Sequence, residues 1–293
     1  MAVTSLNAAA QDPQLSQYYS NPIMLNPAYS GGSEVPTIFL NYRNQWPGLD
    51  AYKTSVVSAD IPIDKISGGF GLLFLNENAG SLKTNNLGLS YAHTLKLTED
   101  FSVRPGLQVN YIRKGIGGVG NEFIYSLSPV MSKAVELISF SSGLLASGKK
   151  YNAGFVIHHL TKLNESFIAG ANSPLSRRYS MHGSIILKSG KFNISPHMLY
   201  WTQGSLQQLN TGFYINRGLL STGLIYGHAP QNPDILVVSL GIRHKYFRIG
   251  YSYDISVSKL GMKLYGSHEF YLTGLIPHKR ERKRLIPANL PVF

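Results

Sequence analysis

The sequence predicts an all-β protein: an up-and-down antiparallel transmembrane β-barrel of outer-membrane type, with roughly 14 strands. Three observations carry this reading. The first is alternation. From Phe247 to Val257, the residues Phe247, Ile249, Tyr251, Tyr253, Ile255 and Val257 interleave with Arg248, Gly250, Ser252, Asp254 and Ser256. Successive strand side chains face opposite ways, so this stretch has one apolar and one polar face. Phe101 to Tyr111 repeats the pattern, with Phe101, Val103, Leu107, Val109 and Tyr111 set against Ser102, Arg104, Gly106, Gln108 and Asn110. Each run is about ten residues, the length a tilted strand needs to cross a bilayer and more than the ~5–6 residues common in soluble sheets. The second observation is composition: charged residues are 14% of the chain, against roughly 25% in soluble domains. The third is that no apolar run approaches the ~20 residues of a spanning helix. The 18 tyrosines suit a membrane interface, which satisfies both an apolar ring and a wet hydroxyl.

Candidate strands fall near residues 36–45, 51–63, 67–77, 83–97, 101–114, 137–147, 149–161, 177–189, 191–203, 205–216, 217–228, 233–244, 245–258 and 263–276. An even count matches a closed bacterial barrel, and closure removes exposed edges. Every second connection is short and polar or basic: Asp64 to Ile66, Thr98 to Asp100, Gly148 to Lys150, Ser189 to Lys191, Asn216 to Gly218 and His244 to Tyr246. The intervening ones include long segments around Gly115 to Glu136 and Lys162 to Ser176. Outer-membrane barrels carry short periplasmic turns and longer outside loops. On that rule both chain ends are expected in the periplasm. The expected organisation is the residual end of a signal peptide at 1–10, a periplasmic leader at 11–35, the barrel at 36–276 and a basic periplasmic tail at 277–293. Ala8, Ala9 and Ala10 supply the small-residue cleavage pattern behind the first of these. The rival architecture is a soluble β-sandwich or lectin-like fold.

Composition also excludes function classes. The chain has no cysteine, which removes disulfides, thiolate metal sites and cysteine nucleophiles. Its net charge of +12 first suggests nucleic acid or an anionic surface. However, Lys279, Arg280, Arg282, Lys283 and Arg284, less Glu281, contribute +4 of it within one short run. The rest is thinly spread, with no basic patch interleaved with aromatics, so no nucleic-acid partner is expected. His158 and His159 are neighbours on a candidate strand and would face opposite ways, which does not suit joint metal ligation. Gly115 to Gly120 lacks the Gly-Lys-Ser/Thr of a phosphate cradle and is expected to be a flexible outside loop. No Gly-x-Ser-x-Gly elbow supports a hydrolase. No catalytic residue, cofactor or metal is therefore expected.

The leader from Gln11 to Gly32 is rich in tyrosine and punctuated by Asn21-Pro22 and Asn26-Pro27. Such pairs start turns and bias the residue before proline away from helix, so the segment is expected to be irregular, ordered by its aromatics and strapped to the barrel mouth. Gln11-Asp12-Pro13, Ser16-Gln17-Tyr18, Asn26-Pro27-Ala28-Tyr29, Tyr42-Arg43-Asn44-Gln45-Trp46, Ile157-His158-His159-Leu160-Thr161 and the basic, proline-containing terminus from Lys279 to Phe293 together resemble the PorP/SprF family. That family comprises outer-membrane components of type IX secretion and gliding motility in Bacteroidetes. The ending Ile286 to Phe293 departs from the cysteine-containing terminus of many relatives, and no role of that cysteine is carried over.

The resemblance implies a non-enzymatic accessory to protein transport. It would be anchored in outer-membrane lipid and work with periplasmic ring or motor components and with a secreted surface protein or its C-terminal domain, including gliding adhesins. Partner-binding candidates are Asn26, Pro27 and Tyr29 in the leader, Tyr42, Arg43 and Trp46 at the rim, and Lys279, Arg280, Arg282, Lys283, Arg284 and Phe293 in the tail. Tyr42 to Trp46 also has a structural reading, an interface-belt tryptophan beside an arginine that snorkels to headgroups. The basic tail is either a solvated charge run or a dock for an acidic partner. The competing function is a stand-alone channel or carrier for small or hydrophobic molecules. In that case Arg104, Arg248 and Asp254 either line a path or bridge across the lumen, although a barrel of this size is equally open to plugging by side chains or by the leader.

Overall fold

A computed structural model describes residues 12–49, 52–117, 134–230, 232–257 and 266–277. Its sheet contains 16 strand segments. Two of them only continue an interrupted strand, which leaves fourteen. These are β1 Thr37–Gln45, β2 Tyr52–Ile63, β3 Gly68–Ala79, β4 Leu82–His93 continuing as Leu95–Lys96, β5 Phe101–Ile116, β6 Ala134–Gly148 and β7 Tyr151–His158. Then follow β8 Arg178–Ile185 continuing as Leu187–Ser189, β9 Phe192–Gln203, β10 Leu206–Arg217, β11 Leu220–Ala229, β12 Asn232–Arg243, β13 Phe247–Ser256 and β14 Ser267–Leu275. Each pairs antiparallel with its sequence neighbours. β1 closes on β14 from Thr37↔Leu275 to Gln45↔Ser267. Every expected strand is present, with bounds shifted by a few residues.

The alternation read from the sequence is the inside and outside of the barrel. On β1, Ile38, Leu40 and Tyr42 are exposed while Phe39, Asn41 and Arg43 are buried. Leu72, Phe74, Leu87, Leu89, Leu107, Ile138, Phe140 and Leu240 extend the exposed apolar belt around the ring. Serines and amides such as Ser58, Ser90, Asn110, Ser139 and Ser252 point inward and are buried. A soluble sheet inverts this arrangement, and an apolar exterior on this scale exceeds the few hundred Å² that soluble monomers show. The outward apolar band gives way near the barrel ends to charged pairs, Arg113 with Glu136 and Lys149 with Asp100. No helix among the described residues is long and apolar enough to cross a membrane.

The two ends of the barrel differ. At one end the connections are tight, as in Gly190-Lys191 and Gly218-Leu219, where glycine takes φ of 57° and 60° at the first turn position. The other end carries the residue 159–177 connection and the ends of the long 117–133 span. β1 begins and β14 finishes at the short-turn end, where Ile276 N donates to Pro36 O at 2.9 Å.

Of the two placements open to the leader, across the mouth or plugging the lumen, it takes the second and lies inside the ring. Asp12 sits at the long-loop end, where its backbone N donates to Gln203 Oε1 at 3.2 Å. From there the chain runs through the lumen to Ser33, beside Asp60 near the short-turn end. Asp12 thus lies at the long-loop end, while β1 begins and β14 finishes at the short-turn end. The physical reason lies in the barrel's width. Eight strands give a lumen that side chains can fill, and 16–18 leave an aqueous channel. Fourteen strands lined largely by Ser, Gly and Asn leave room for a chain segment, and Tyr18, Tyr19, Ile23, Ala28 and Tyr29 bury themselves there to 4% exposure or less.

Candidate functional site

The leader holds three short helical turns, Tyr18–Ser20 and two that are each started by an Asn-Pro pair. Asn21 Oδ1 accepts from Met24 N at 3.3 Å, and Pro22 opens the turn Pro22–Leu25. Asn26 Oδ1 accepts from Ala28 N at 2.9 Å, and Pro27 opens the turn Pro27–Tyr29. Asparagine satisfies an orphan N–H at a helical start, and proline at the next position has none to satisfy. The sequence reading took these pairs as turn starters, and here each one also holds the leader to the wall.

Four contact groups along the lumen fasten the leader. At the long-loop end His159 Nε2 lies 2.8 Å from Asp12 Oδ2, and His159 Nδ1 lies 2.8 Å from Ser139 Oγ. Next, Glu269 accepts from Ser16 N at 2.8 Å and Gln17 N at 3.2 Å, while Ser16 Oγ donates to Asp254 Oδ2 at 2.5 Å. Arg43 Nη1 lies 2.7 Å from Asp254 Oδ2 and 3.3 Å from Glu269 Oε2, and also donates to Ser16 Oγ. Mid-lumen, Tyr18 meets His197, and Tyr29 stacks on His182 with ring centroids 5.5 Å apart. Asn21 Nδ2 donates to Asn41 Oδ1 at 3.0 Å and Ser58 Oγ donates to Asn21 Oδ1 at 2.8 Å. Towards the short-turn end, Arg104 Nε donates to Ala28 O at 3.0 Å and its Nη2 to Ser30 O at 2.6 Å. There Gly31 N and Ser33 N both donate to the Asp60 carboxylate.

Two glycines let the leader lie flat. Gly106 and Gly143 face each other in register across β5 and β6. A side chain on Gly106 would run into the backbone of Pro27 and Ala28, and one on Gly143 would run into Asn26. Gly106→Ala is therefore expected to cost about 1–3 kcal/mol as overpacking, read as a lower urea midpoint in detergent. Gly274→Ala, where an added methyl meets nothing within 4 Å, is expected to leave the midpoint unchanged. The leader's position is testable without native thiols to interfere. Ser30 Oγ and Ser90 Oγ lie 2.6 Å apart, so a Ser30→Cys, Ser90→Cys variant is expected to lose both free thiols on mild oxidation. Thiols that stay titratable after denaturation would place the leader elsewhere.

Of the six sequence-predicted partner-binding residues that fall among the described residues, four are engaged inside the chain. Asn26, Pro27 and Tyr29 are buried under the lumen wall, with Asn26 Nδ2 3.1 Å from His182 Nε2. Arg43 does not snorkel outward. It lies on the inward face of β1, 8% exposed, because a strand that points Tyr42 to the outside must point its neighbour in. Tyr42 is 41% exposed on the outer wall. Trp46, half-buried with φ +53°, ends β1 at the long-loop end and meets Tyr52 edge-on at 5.4 Å. Lys279, Arg280, Arg282, Lys283, Arg284 and Phe293 lie outside the described residues, as does Gly118–Gly120 of the glycine-rich run, whose Gly115 and Ile116 complete β5. Arg104 and Asp254, expected to line a path or bridge across the lumen, bind the leader. The two histidines behave differently from a regular strand: His159 takes φ +57°, so both rings face inward, His158 to Ser141 and His159 to Asp12. No cluster of metal-ligating residues exists among the described residues. Asp60, His182 and Glu269 were not singled out from sequence, and Asp12 and Ser16 entered only as markers of the family resemblance. A charged residue on the polar face of a transmembrane strand was the available signal for Asp60 and Glu269.

Residues far apart in sequence meet here: Asp12 with His159, and Ser16 with Arg43. The family profile described as type IX secretion system membrane protein PorP/SprF matches residues 7–273. The chain belongs to this family. The PorP/SprF assignment makes it an outer-membrane component of type IX secretion, and family and fold both point to a non-enzymatic protein. No curated protein matches the sequence. Among solved structures, this PorP/SprF barrel is similar to the toluene transporter TodX of P. putida, at 8% identity over 86% of this chain and 93% of that one, with a TM-score of 0.52. It is also similar to the CymD monoaromatic hydrocarbon channel, at 12% identity over 89% and 94%, with a TM-score of 0.50. At such identities the likeness is one of fold.

Proposed function

We propose that this PorP/SprF protein is a closed scaffold that anchors type IX secretion components in the outer membrane and supports export or surface display of cargo, gliding adhesins among the candidates. The observation that carries the reading is the leader fastened along the lumen, with Ser16 hydrogen-bonded to the buried carboxylates of Glu269 and Asp254 and Tyr18, Tyr19 and Tyr29 buried beyond it. A barrel held shut in this way serves as a membrane-fixed platform. Passage of small or hydrophobic molecules, the competing reading, requires the leader to leave.

In the proposed arrangement the short-turn end, where β14 finishes, faces the periplasm, and arginines of the basic run Lys279 to Arg284 bond carboxylates of periplasmic ring or motor components by charge-assisted pairs. Partners engage surfaces that the leader does not occupy, since Asn26, Pro27, Tyr29 and Arg43 are already committed to internal contacts. Crosslinking a tagged copy in the native outer membrane, followed by mass spectrometry, tests the scaffold. Secretion-ring proteins or a large surface protein are the expected co-purifying species, and recovery of the barrel alone contradicts the proposal. Removal of residues 278–293 is expected to lower that recovery several-fold. Undiminished recovery and secretion would remove the tail from the interface.

A further inference from the structure

A cavity of ≈ 120 Å³ lies between the leader and the inner wall towards the long-loop end. Leu15 and Met24 of the leader and Leu73 and Ile112 of the wall give it an apolar body. Five residues that line the same space carry polar atoms without a hydrogen-bond partner among the described residues: Asn86 Oδ1, Gln108 Nε2, Asn110 Oδ1 and Arg178 Nε from the wall and Gln14 Oε1 from the leader. Gln108 and Asn110 are only 5% and 4% exposed, so the surrounding protein cannot leave them to bulk water. Their free ends meet over Gly88. A methyl there would lie 2.7 Å from Asn110 Oδ1 and 2.8 Å from Gln108 Nε2. The wall thus presents one donor and one acceptor side by side above a residue that offers no side chain of its own. Buried polar groups are ordinarily paired, and leaving them unpaired is costly.

We propose that this cavity is a binding site for a small amphipathic molecule with a neutral group that both donates and accepts a hydrogen bond, carried on a compact apolar body. The neutral head pairs with Gln108 and Asn110, and the body rests against Leu15, Met24, Leu73 and Ile112. The volume limits the whole ligand: an apolar cavity of about 150 Å³ takes up benzene, so one of ≈ 120 Å³ admits a molecule no larger. The site is independent of the scaffold reading, since it is formed with the leader in place.

The test uses the full chain in detergent, with isobutyramide and benzene, each of six heavy atoms, as probes titrated calorimetrically against micelle-only blanks. Isobutyramide is expected to bind saturably and at least tenfold tighter than benzene. The Gln108→Leu, Asn110→Leu variant is expected to lose at least tenfold for isobutyramide. Should that variant fail to migrate as a folded barrel, Gly88→Ala, whose methyl turns the two amide ends away, is read instead with the same expectation. No saturable heat with isobutyramide, equal affinity for the two probes, or equal isobutyramide affinity in wild type and folded variant would each overturn the proposal and assign the cavity to water.

Discussion

Replacing Arg43 with alanine is expected to destabilise the folded barrel by about 3–5 kcal/mol, the penalty for removing one partner from a buried ionic group. Arg43 is the cation between Asp254 and Glu269, at 2.7 and 3.3 Å, and the side chains of the three residues are at most 9% exposed. Without it two carboxylates face each other in a low-dielectric site, and the Ser16 hydroxyl loses one of its contacts. The effect is read as a fall in the urea midpoint in detergent or in the temperature at which the folded band converts on a gel. An Arg43→Ala, Glu269→Gln variant is expected to recover part of the loss by removing one of the stranded charges. An unchanged midpoint in the single variant would mean that the triad contributes nothing to the fold.

Deleting residues 12–33 is expected to turn a silent barrel into a conducting one. The wall itself is a closed ring of hydrogen-bonded strands, complete without the leader. Once the leader is gone the wall's inward side chains are mostly short, Ser58, Ser90, Ser139 and Ser252 among them, and a ring of fourteen strands is too wide for such residues to fill. The cost is the lost burial of Tyr18, Tyr19, Ile23, Leu25 and Tyr29, worth about 1.5–3 kcal/mol for each fully buried aliphatic or aromatic side chain before entropy is returned. The deleted protein is therefore expected to fold with a lower midpoint and to pass steady current in planar bilayers. A folded but silent deletion variant would show that wall residues or loops close the lumen without the leader.

Strand count and register of faces were legible because a membrane barrel imposes period-two patterning on every strand. Phe247 to Ser256 and Phe101 to Ile116 sit as the pattern requires. The leader's path was not legible, since an irregular, aromatic segment reads the same whether it lies across a mouth or inside a lumen. Tyrosine shows the ambiguity. Tyr42 and Tyr111 stand on the outer wall as a membrane interface favours, while Tyr18, Tyr19, Tyr29, Tyr214 and Tyr271 are buried in the lumen. Arg43 was readable from parity with Tyr42, but its proximity to Trp46 drew attention to the rim. His158 and His159 defeat the parity rule because a positive φ at one residue turns its side chain to its neighbour's side.

The most direct test of the closed-scaffold account is the conductance of the intact, purified protein in planar bilayers, with the leader-deleted protein as the conducting reference. The account predicts a silent bilayer for the intact chain. Steady, ion-selective current through the intact chain would contradict it and make the barrel a channel.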